Sequence, residues 1–230
     1  MNIRLFKPHL KQRECINRIE SSLAKYILID CGRQFGKSLL AQNLILKWCL
    51  ENDNSVGFWV SPIYSQAKKV FDELVKALKE TGLIKTTNRS EVWIKLSNGS
   101  TIHFKSGEKP DNLRGYTLDF LVVDEAAFIR DEVWNEVLRP ATLVRGKKIL
   151  FISTPKGKNY FYNLYNKGVS EETPDYLSLK YTSYDTPYIT ADEINEAKNS
   201  LPDDIFRQEI MAEFIEDGGE VFRHYHQAQL

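Results

Sequence analysis

Short apolar runs that end in polar residues alternate along this chain with longer stretches of helical periodicity. Residues 10–24 carry a helical pattern, and "YILID" (26–30) follows as a short buried strand. "GKSLLAQNLILKWCLEN" (36–52) returns to helical spacing, placing Leu39, Leu40, Leu44 and Trp48 near one face. "SVGFWVS" (55–61) reads as a strand and "YSQAKKVFDELVKALKETG" (64–82) as a helix stopped by Gly82. In 91–107 two apolar runs flank Asn98-Gly99, a dipeptide whose backbone favours the tight turn of a hairpin. "DFLVVDEAA" (119–127) and "KKILFISTP" (147–155) are two further strands, and the aromatic spacing of 156–168 suits a core-facing helix. Strands alternating with helices predict an α/β fold with a mostly parallel sheet covered on both faces. Ligands of such sheets sit at the carboxyl ends of the strands.

Composition narrows this picture only slightly. A chain of 230 residues suits one large α/β domain, or one domain with a small appendage. With 31 basic and 31 acidic residues the net charge is zero, which excludes a protein coated in positive charge but not a local basic patch. The odd set Cys15, Cys31 and Cys49 forms no C-x-x-C pair, which predicts a reducing cytoplasm rather than a disulfide framework. Neither a signal peptide nor a run of roughly 18 apolar residues is present, so a soluble intracellular protein with no membrane partner is expected.

The candidate chemistry lies at the predicted strand ends. "CGRQFGKSLL" (31–40) approximates the phosphate-binding pattern G-x-x-x-x-G-K-[ST], with Cys31 where the first glycine belongs and Arg33 inside the loop. A helix opening directly after a buried strand turns free N–H groups toward an anion. Lys37 would neutralise the β- and γ-phosphates of ATP, and Ser38 would place its hydroxyl on Mg²⁺. The plainer reading is a strand–turn–helix with an exposed lysine. Asp124 and Glu125 end the next apolar strand; Asp124 would serve the Mg²⁺ shell and Glu125 would activate the attacking water, unless the pair is simply a solvated acidic turn. That pair predicts the ATPase branch with an extra strand between loop and acid, supplied by the segment between Ser38 and Asp124. Ser153 and Thr154 close the last strand, where Pro155 blocks its continuation. The lysines of 64–82 (Lys68, Lys69, Lys76, Lys79) alternate with Asp72, Glu73 and Glu80, as on a salt-bridged solvated face.

In order, "GRQFGKS" (32–38), "VSPIYSQAKKVF" (60–71), "LRGYTLDFLVVDEAAF" (113–128) and "ISTPKG" (152–157) resemble the large subunit of tailed-phage DNA-packaging terminases. "YTSYDTPYIT" (181–190) and "FRQEIMAEFIEDGGEVF" (206–222) resemble the end of that family's ATPase domain. The resemblance implies a RecA-like, ASCE-type P-loop NTPase: a core over 1–180, a small lid-like helical segment and linker over 181–222, and a tail over 223–230. It implies an ATP-hydrolysing motor that drives double-stranded DNA into a procapsid in the host cytoplasm. Expected partners are DNA held by its backbone, a portal protein, a small terminase subunit and further copies in a ring, with the isolated domain weakly associating.

By position, Gly32, Gln34, Phe35 and Gly36 complete the nucleotide loop. Arg33 would meet the γ-phosphate in cis or shift between it and Glu125. Gln12 would face the adenine, an exposed helix glutamine being the alternative. Ser153 and Thr154 fall in the coupling motif. Arg114 is the candidate trans-acting finger and Arg139 its reserve. The nuclease domain of full-length relatives is not expected here: Asp217 and Glu220 read as linker, and His224 and His226 as tail. Two rival readings are a superfamily-2 helicase or repair ATPase and a nucleotide-holding adaptor that does not turn over.

Overall fold

The structure is a computed structural model that describes residues 6–170 and 172–216. In chain order it contains α1 (Leu10–Ser21), β1 (Tyr26–Cys31), α2 (Lys37–Leu50), β2 (Val56–Ser61), α3 (Tyr64–Leu78), β3 (Ile84–Asn88), β4 (Trp93–Leu96) and β5 (Thr101–Ser106). After these come β6 (Phe120–Asp124), a π-helical turn (Val133–Leu138) continuous with the short α4 (Arg139–Ala141), and β7 (Lys148–Ser153). The chain continues through α5 (Tyr160–Val169), β8 (Tyr176–Tyr181), α6 (Ala191–Ser200) and α7 (Asp203–Glu209). The eight strands form one sheet in the order β3-β4-β5-β2-β6-β7-β1-β8, parallel except where β4 joins β3 and β5.

The expected elements are present, with instructive differences. The hairpin β4–β5 turns at Asn98-Gly99, where Gly99 has φ 86° and the Leu96 N–H donates to the Ser100 carbonyl. Helix α3 stops at Leu78, earlier than Gly82, and the chain then turns through Gly82 at φ 71°. Two strands escape the hydrophobic pattern, β3 ("IKTTN") and β8 ("YLSLKY"). Both are sheet edges with one neighbour, so neither needs the continuous apolar character of a strand buried on both faces. The strand between phosphate loop and acid is β7, which pairs with β1 on one side and β6 on the other. It comes from after Asp124, not from the segment between Ser38 and Asp124, which supplies β2 and the antiparallel edge instead.

Each sheet face carries its own core. Ile27, Ile29, Trp59, Val122 and Ile152 point to the side covered by α1, α2 and α3. Leu28, Val60, Val123 and Phe151 point to the other, where Trp134 and Phe161 of α5 cover them. Leu40, Leu44 and Trp48 are buried as the pattern requires, but Leu39 is 41% exposed. It sits in the first turn of α2. The α3 face is solvated and paired as expected, through Lys68–Asp72 at 2.8 Å, Lys69–Glu73 at 3.9 Å and Arg89–Asp72 at 3.0 Å.

Past β8 the packing changes. Helices α6 and α7 bury Ile194, Phe206 and Ile210 against each other in a small cluster of their own. The chain then returns to α5, where Phe214 meets the rings of Phe161, Tyr162 and Tyr165. Asp217, Glu220, His224, His226 and the tail lie outside the described residues.

Candidate active site

Strands β1, β7 and β6 lie side by side, and each delivers a polar residue at its carboxyl end. The loop after β1 folds tightly, with Gln34 at φ 62° and Gly36 at φ 85°, and Gly36 caps the start of α2. Cys31 is the last residue of β1 and is fully buried, so the position of the missing glycine is occupied by core. The backbone approach falls one residue later. A Cβ on Gly32 would stand 2.5 Å from the Ile210 carbonyl oxygen and 2.6 Å from the Ser183 nitrogen, so only glycine fits there.

The loop is braced on both sides. Gln12 is buried, which settles its two sequence readings against an exposed helix glutamine. Its amide donates to the carbonyls of Phe35 and Gly36, each at 3.2 Å, while its oxygen accepts from the His9 N–H at 3.1 Å. Both amide protons therefore hold the loop rather than reaching past it. The His9 ring Nε2 lies 3.1 Å from the Phe35 carbonyl, and the Phe35 ring stacks on Tyr181 at 4.7 Å. From the other side, Gly32 and Arg33 donate to the carbonyls of Tyr181 and Glu209, and the Ser183 hydroxyl donates to the Arg33 carbonyl.

Lys37 and Ser38 open α2 and meet the acidic pair. Lys37 Nζ is 3.2 Å from Glu125 Oε1, and the Ser38 hydroxyl donates to Asp124 Oδ1 at 3.2 Å. Glu125 holds a left-handed backbone, φ 47° and ψ 50°, which costs a non-glycine residue about 1–2 kcal/mol. The second oxygen, Oε2, is buried without a partner among the described residues. Burial first, and then the Glu125 carboxylate beside it, push the Asp124 carboxyl up to about 7, against the opposing pull of Lys37 and Ser38. The solvated acidic turn that the sequence left open is thus excluded at Asp124.

Ser153 accepts from the Ala127 N–H at 3.1 Å, tying the end of β7 to the turn that follows Glu125. Thr154 is buried beside it. Arg33 lies away from Glu125: its Nε is 2.5 Å from Glu209 Oε2, and its side chain is 67% exposed. Arg114 stands apart from this group on an exposed turn after the 3₁₀ segment Pro110–Leu113, paired with Asp111 at 3.2 Å and reaching Glu136 at 4.0 Å. Arg139 is exposed on α4.

The sequence reading missed Asp30, Ser183, His9 and Glu209. Asp30 ends "YILID" in register with Ser153 and Lys180, fully buried, with neither carboxyl oxygen partnered among the described residues. Burial holds it well above the usual carboxylate range although Lys180 and Lys37 pull it down. An aspartate inside an apolar strand was its only signal. The other three act through contacts more than 20 residues distant in sequence, which no local pattern records. Among the described residues no cluster of three or more His, Cys, Asp or Glu could hold a metal, and no helix is long and apolar enough to cross a membrane. Cys15, Cys31 and Cys49 are all free and buried.

Residues 28–226 match the family described as terminase large subunit, T4likevirus-type, N-terminal. Among curated relatives, the terminase large subunit of Thermus phage G20c is 31% identical over 249 residues, covering 94% of this chain and 50% of the relative. That of Escherichia phage T5 is 31% identical over 218 residues, with the same coverage. The chain therefore spans about half the length of the curated relatives it matches. The Thermus phage P74-26 large terminase ATPase domain superposes with a TM-score of 0.77 at 31% identity, covering 91% of this chain and 95% of that one. A large terminase from a thermophilic bacteriophage, in complex with ADP, shares the fold, with a TM-score of 0.76 at 17% identity over 91% of this chain and 54% of that one. The buried sheet, the arginine-bearing loop and these matches agree: the chain belongs to the family of terminase large subunits, matching their N-terminal region.

Proposed function

We propose that this chain hydrolyses ATP as the motor domain of a viral packaging terminase and drives double-stranded DNA into a procapsid. The observation that carries this reading is the meeting of three strand ends. Lys37 stands 3.2 Å from Glu125 and Ser38 3.2 Å from Asp124, at the positively polarised start of a 14-residue helix. The relatives' printed names support it, as terminase large subunits and a large terminase ATPase domain.

In this reading the N–H groups of 33–38 cradle the phosphates and Lys37 leaves Glu125 for them. Glu125, freed from that ion pair, orients the attacking water and accepts its proton, while its left-handed backbone aims the carboxylate. The oxygen-only pair of Ser38 and Asp124 fits Mg²⁺, whose charge would offset the burial and the neighbouring Glu125 carboxylate that push Asp124 up. Bound there, Mg²⁺ would supply positive charge against the phosphates. Gln12 keeps the loop in shape beneath the nucleotide, Ser153 and Thr154 relay its state, and 181–216 forms a lid over the site. Arg114, exposed and held only by surface pairs, suits a finger offered to a neighbouring subunit of a ring. Duplex DNA held by its backbone, a portal protein and a small terminase subunit are the proposed partners, in the host cytoplasm.

ATP hydrolysis measured against protein concentration, for wild type, Glu125→Gln and Arg114→Ala, tests this. Glu125→Gln should cost at least ~10²-fold at every concentration. Specific activity of the wild type should rise with concentration, and Arg114→Ala should remove that rise, since a trans arginine contributes about 10³–10⁵ in rate. Turnover unchanged in Glu125→Gln would overturn the hydrolytic mechanism. A flat profile that survives loss of Arg114 would leave each chain acting alone.

A further inference from the structure

Asp30 has no task in the mechanism above, yet it closes β1 with no exposure and with neither carboxyl oxygen partnered among the described residues. Side chains alternate between faces along a strand, so Asp30 shares the face of Leu28, the side covered by α5. In register with it stand Ser153 on β7 and Lys180 on β8. Lys180 is exposed and makes no bond to it. Burial, and then the nearby Asp30 carboxyl, push the Tyr165 hydroxyl of α5 up to about 12. Burial also holds Asp30 well above the usual carboxylate range, against the pull of Lys180 and Lys37. The protonated form that burial favours can both donate and accept. Ser153 is its polar neighbour on the same face, since paired strands lie about 4.8 Å apart. That serine hydroxyl accepts from the Ala127 N–H at 3.1 Å, on the turn after Glu125. Two other side chains hold the same turn: the Tyr160 hydroxyl donates to the Ala126 carbonyl at 2.8 Å and the Asn159 amide to the Ala127 carbonyl at 2.7 Å. Both stand at the start of α5, whereas the bond to Ser153 hangs on a single side-chain torsion.

We propose that Asp30 is a positioning residue, the second partner of the Ser153 hydroxyl, which passes between Ala127 and Asp30 during the ATP cycle and so tightens or releases the turn that aims Glu125. This rests on the hydrolytic reading of Glu125. In the structure Ser153 holds Ala127, and the carboxyl stands unpaired. Rotation about the one side-chain torsion of Ser153 swings the hydroxyl along the sheet to Asp30 and frees the Ala127 N–H. The two arrangements lie close in free energy, because each leaves one buried polar group unpaired: a carboxyl in the first, an amide in the second. An apolar residue at 30 would suit a buried strand better, but it would fix Ser153 on Ala127 and leave one arrangement only. A turn held permanently still aims Glu125, but it no longer relaxes to let products go.

The test compares wild type, Asp30→Val, Ser153→Ala and the double variant. Amide exchange at Ala127 is read without nucleotide, ATP hydrolysis in the first turnover and at steady state, and stability by thermal melting. Asp30→Val should slow exchange at Ala127 about threefold to tenfold, since the competing partner is gone. Ser153→Ala should speed it at least ~10-fold, the scale of one lost hydrogen bond, and the double variant should match Ser153→Ala. Asp30→Val should melt about 3–6 °C higher, because a buried group without a partner has been removed. Its first turnover should keep the wild-type rate while steady-state turnover falls about tenfold, a split that a merely structural aspartate would not produce. Asp30→Asn, whose amide can still pair with the hydroxyl, should restore steady-state turnover. Unchanged Ala127 exchange in Asp30→Val, or the same change with and without Ser153, would overturn the proposal. So would a lower melting temperature with unchanged exchange, the mark of a carboxyl that merely fills its site. Asp30→Ala supplies the same readings where valine prevents folding. A wild type without turnover would sink the hydrolytic reading alone, because the exchange cycle uses no nucleotide and still decides whether Asp30 acts through Ser153.

Discussion

The phosphate loop and the segment bearing Arg114 are built on opposite plans. Residues 32–36 are held from below by Gln12 and His9 and from the side by Ser183 and Glu209, and no Cβ fits at Gly32. The 3₁₀ turn Pro110–Leu113 runs into the exposed turn at 114–115, with Asp111 and Arg114 exposed, and at Gly115 (φ 84°) nothing lies within 4 Å of where a Cβ would stand. Two side chains anchor that segment: Leu113, buried in the core, and Tyr116, whose ring meets Phe58 at 4.7 Å and His103 at 5.4 Å. A loop that must meet phosphates in the same geometry each cycle is preorganised by its own chain. In the proposed reading Arg114 is offered to another molecule, on a short tether and completed only on contact.

That contrast can be broken at its strongest point with Gly32→Ala. The added methyl must displace backbone of 183 and 210, so ATP binding should fall at least ~100-fold and the fold should lose about 2–4 kcal/mol, read by isothermal titration and urea unfolding. Wild-type affinity in that variant would show the seam to be compliant. Gln12→Ala is a smaller blow from the other side. It removes one hydrogen bond from each of two loop carbonyls and opens a cavity, costing about 2 kcal/mol in stability and roughly tenfold in ATP affinity. A stability loss without an affinity loss would mean that the loop keeps its shape unaided.

The smallest effect probes the tether of Arg114 through pH. Burial, reinforced by the nearby Lys105 cation and opposed by Glu91, lowers His103 to about 4 in the folded chain. Its ring lies among Phe58, Trp93 and Tyr116, and Nδ1 has no partner among the described residues. The folded value lies below the unfolded 6.5, so the unfolded chain binds the proton first. Stability is therefore complete above pH 6.5 and is lost as pH falls toward 4. Between pH 7 and 5 the loss should be about 1–2 kcal/mol. Thermal melts of wild type and His103→Gln should converge at pH 5. A difference that stays constant across this range would remove His103 from the account.

Much of this architecture was legible because buried parallel strands leave long apolar runs and the motifs sit at their ends. Val122, Val123, Asp124 and Glu125 announce both a strand and its chemistry within four residues. Edge strands such as β8 were not legible, since one solvated side dilutes their apolar character. Nor was the place of β7, because strand order is set by crossover connections and leaves no mark in local periodicity. Around the loop the pattern repeats. Lys37, Ser38 and the acidic pair follow from spacing, whereas Glu209 and Ser183 reach Arg33 across 176 and 150 residues through contacts that exist only after folding.

Glu125 shows what such a site asks of the sequence around it. Its φ of 47° is one that glycine or asparagine adopts more readily, yet neither offers a carboxylate. In the proposed reading, a library of variants screened only for heat resistance would enrich those two residues at 125 and return sturdier proteins that hold nucleotide without consuming it. Only a screen that also demands turnover would keep the glutamate, and with it the left-handed backbone at the end of β6.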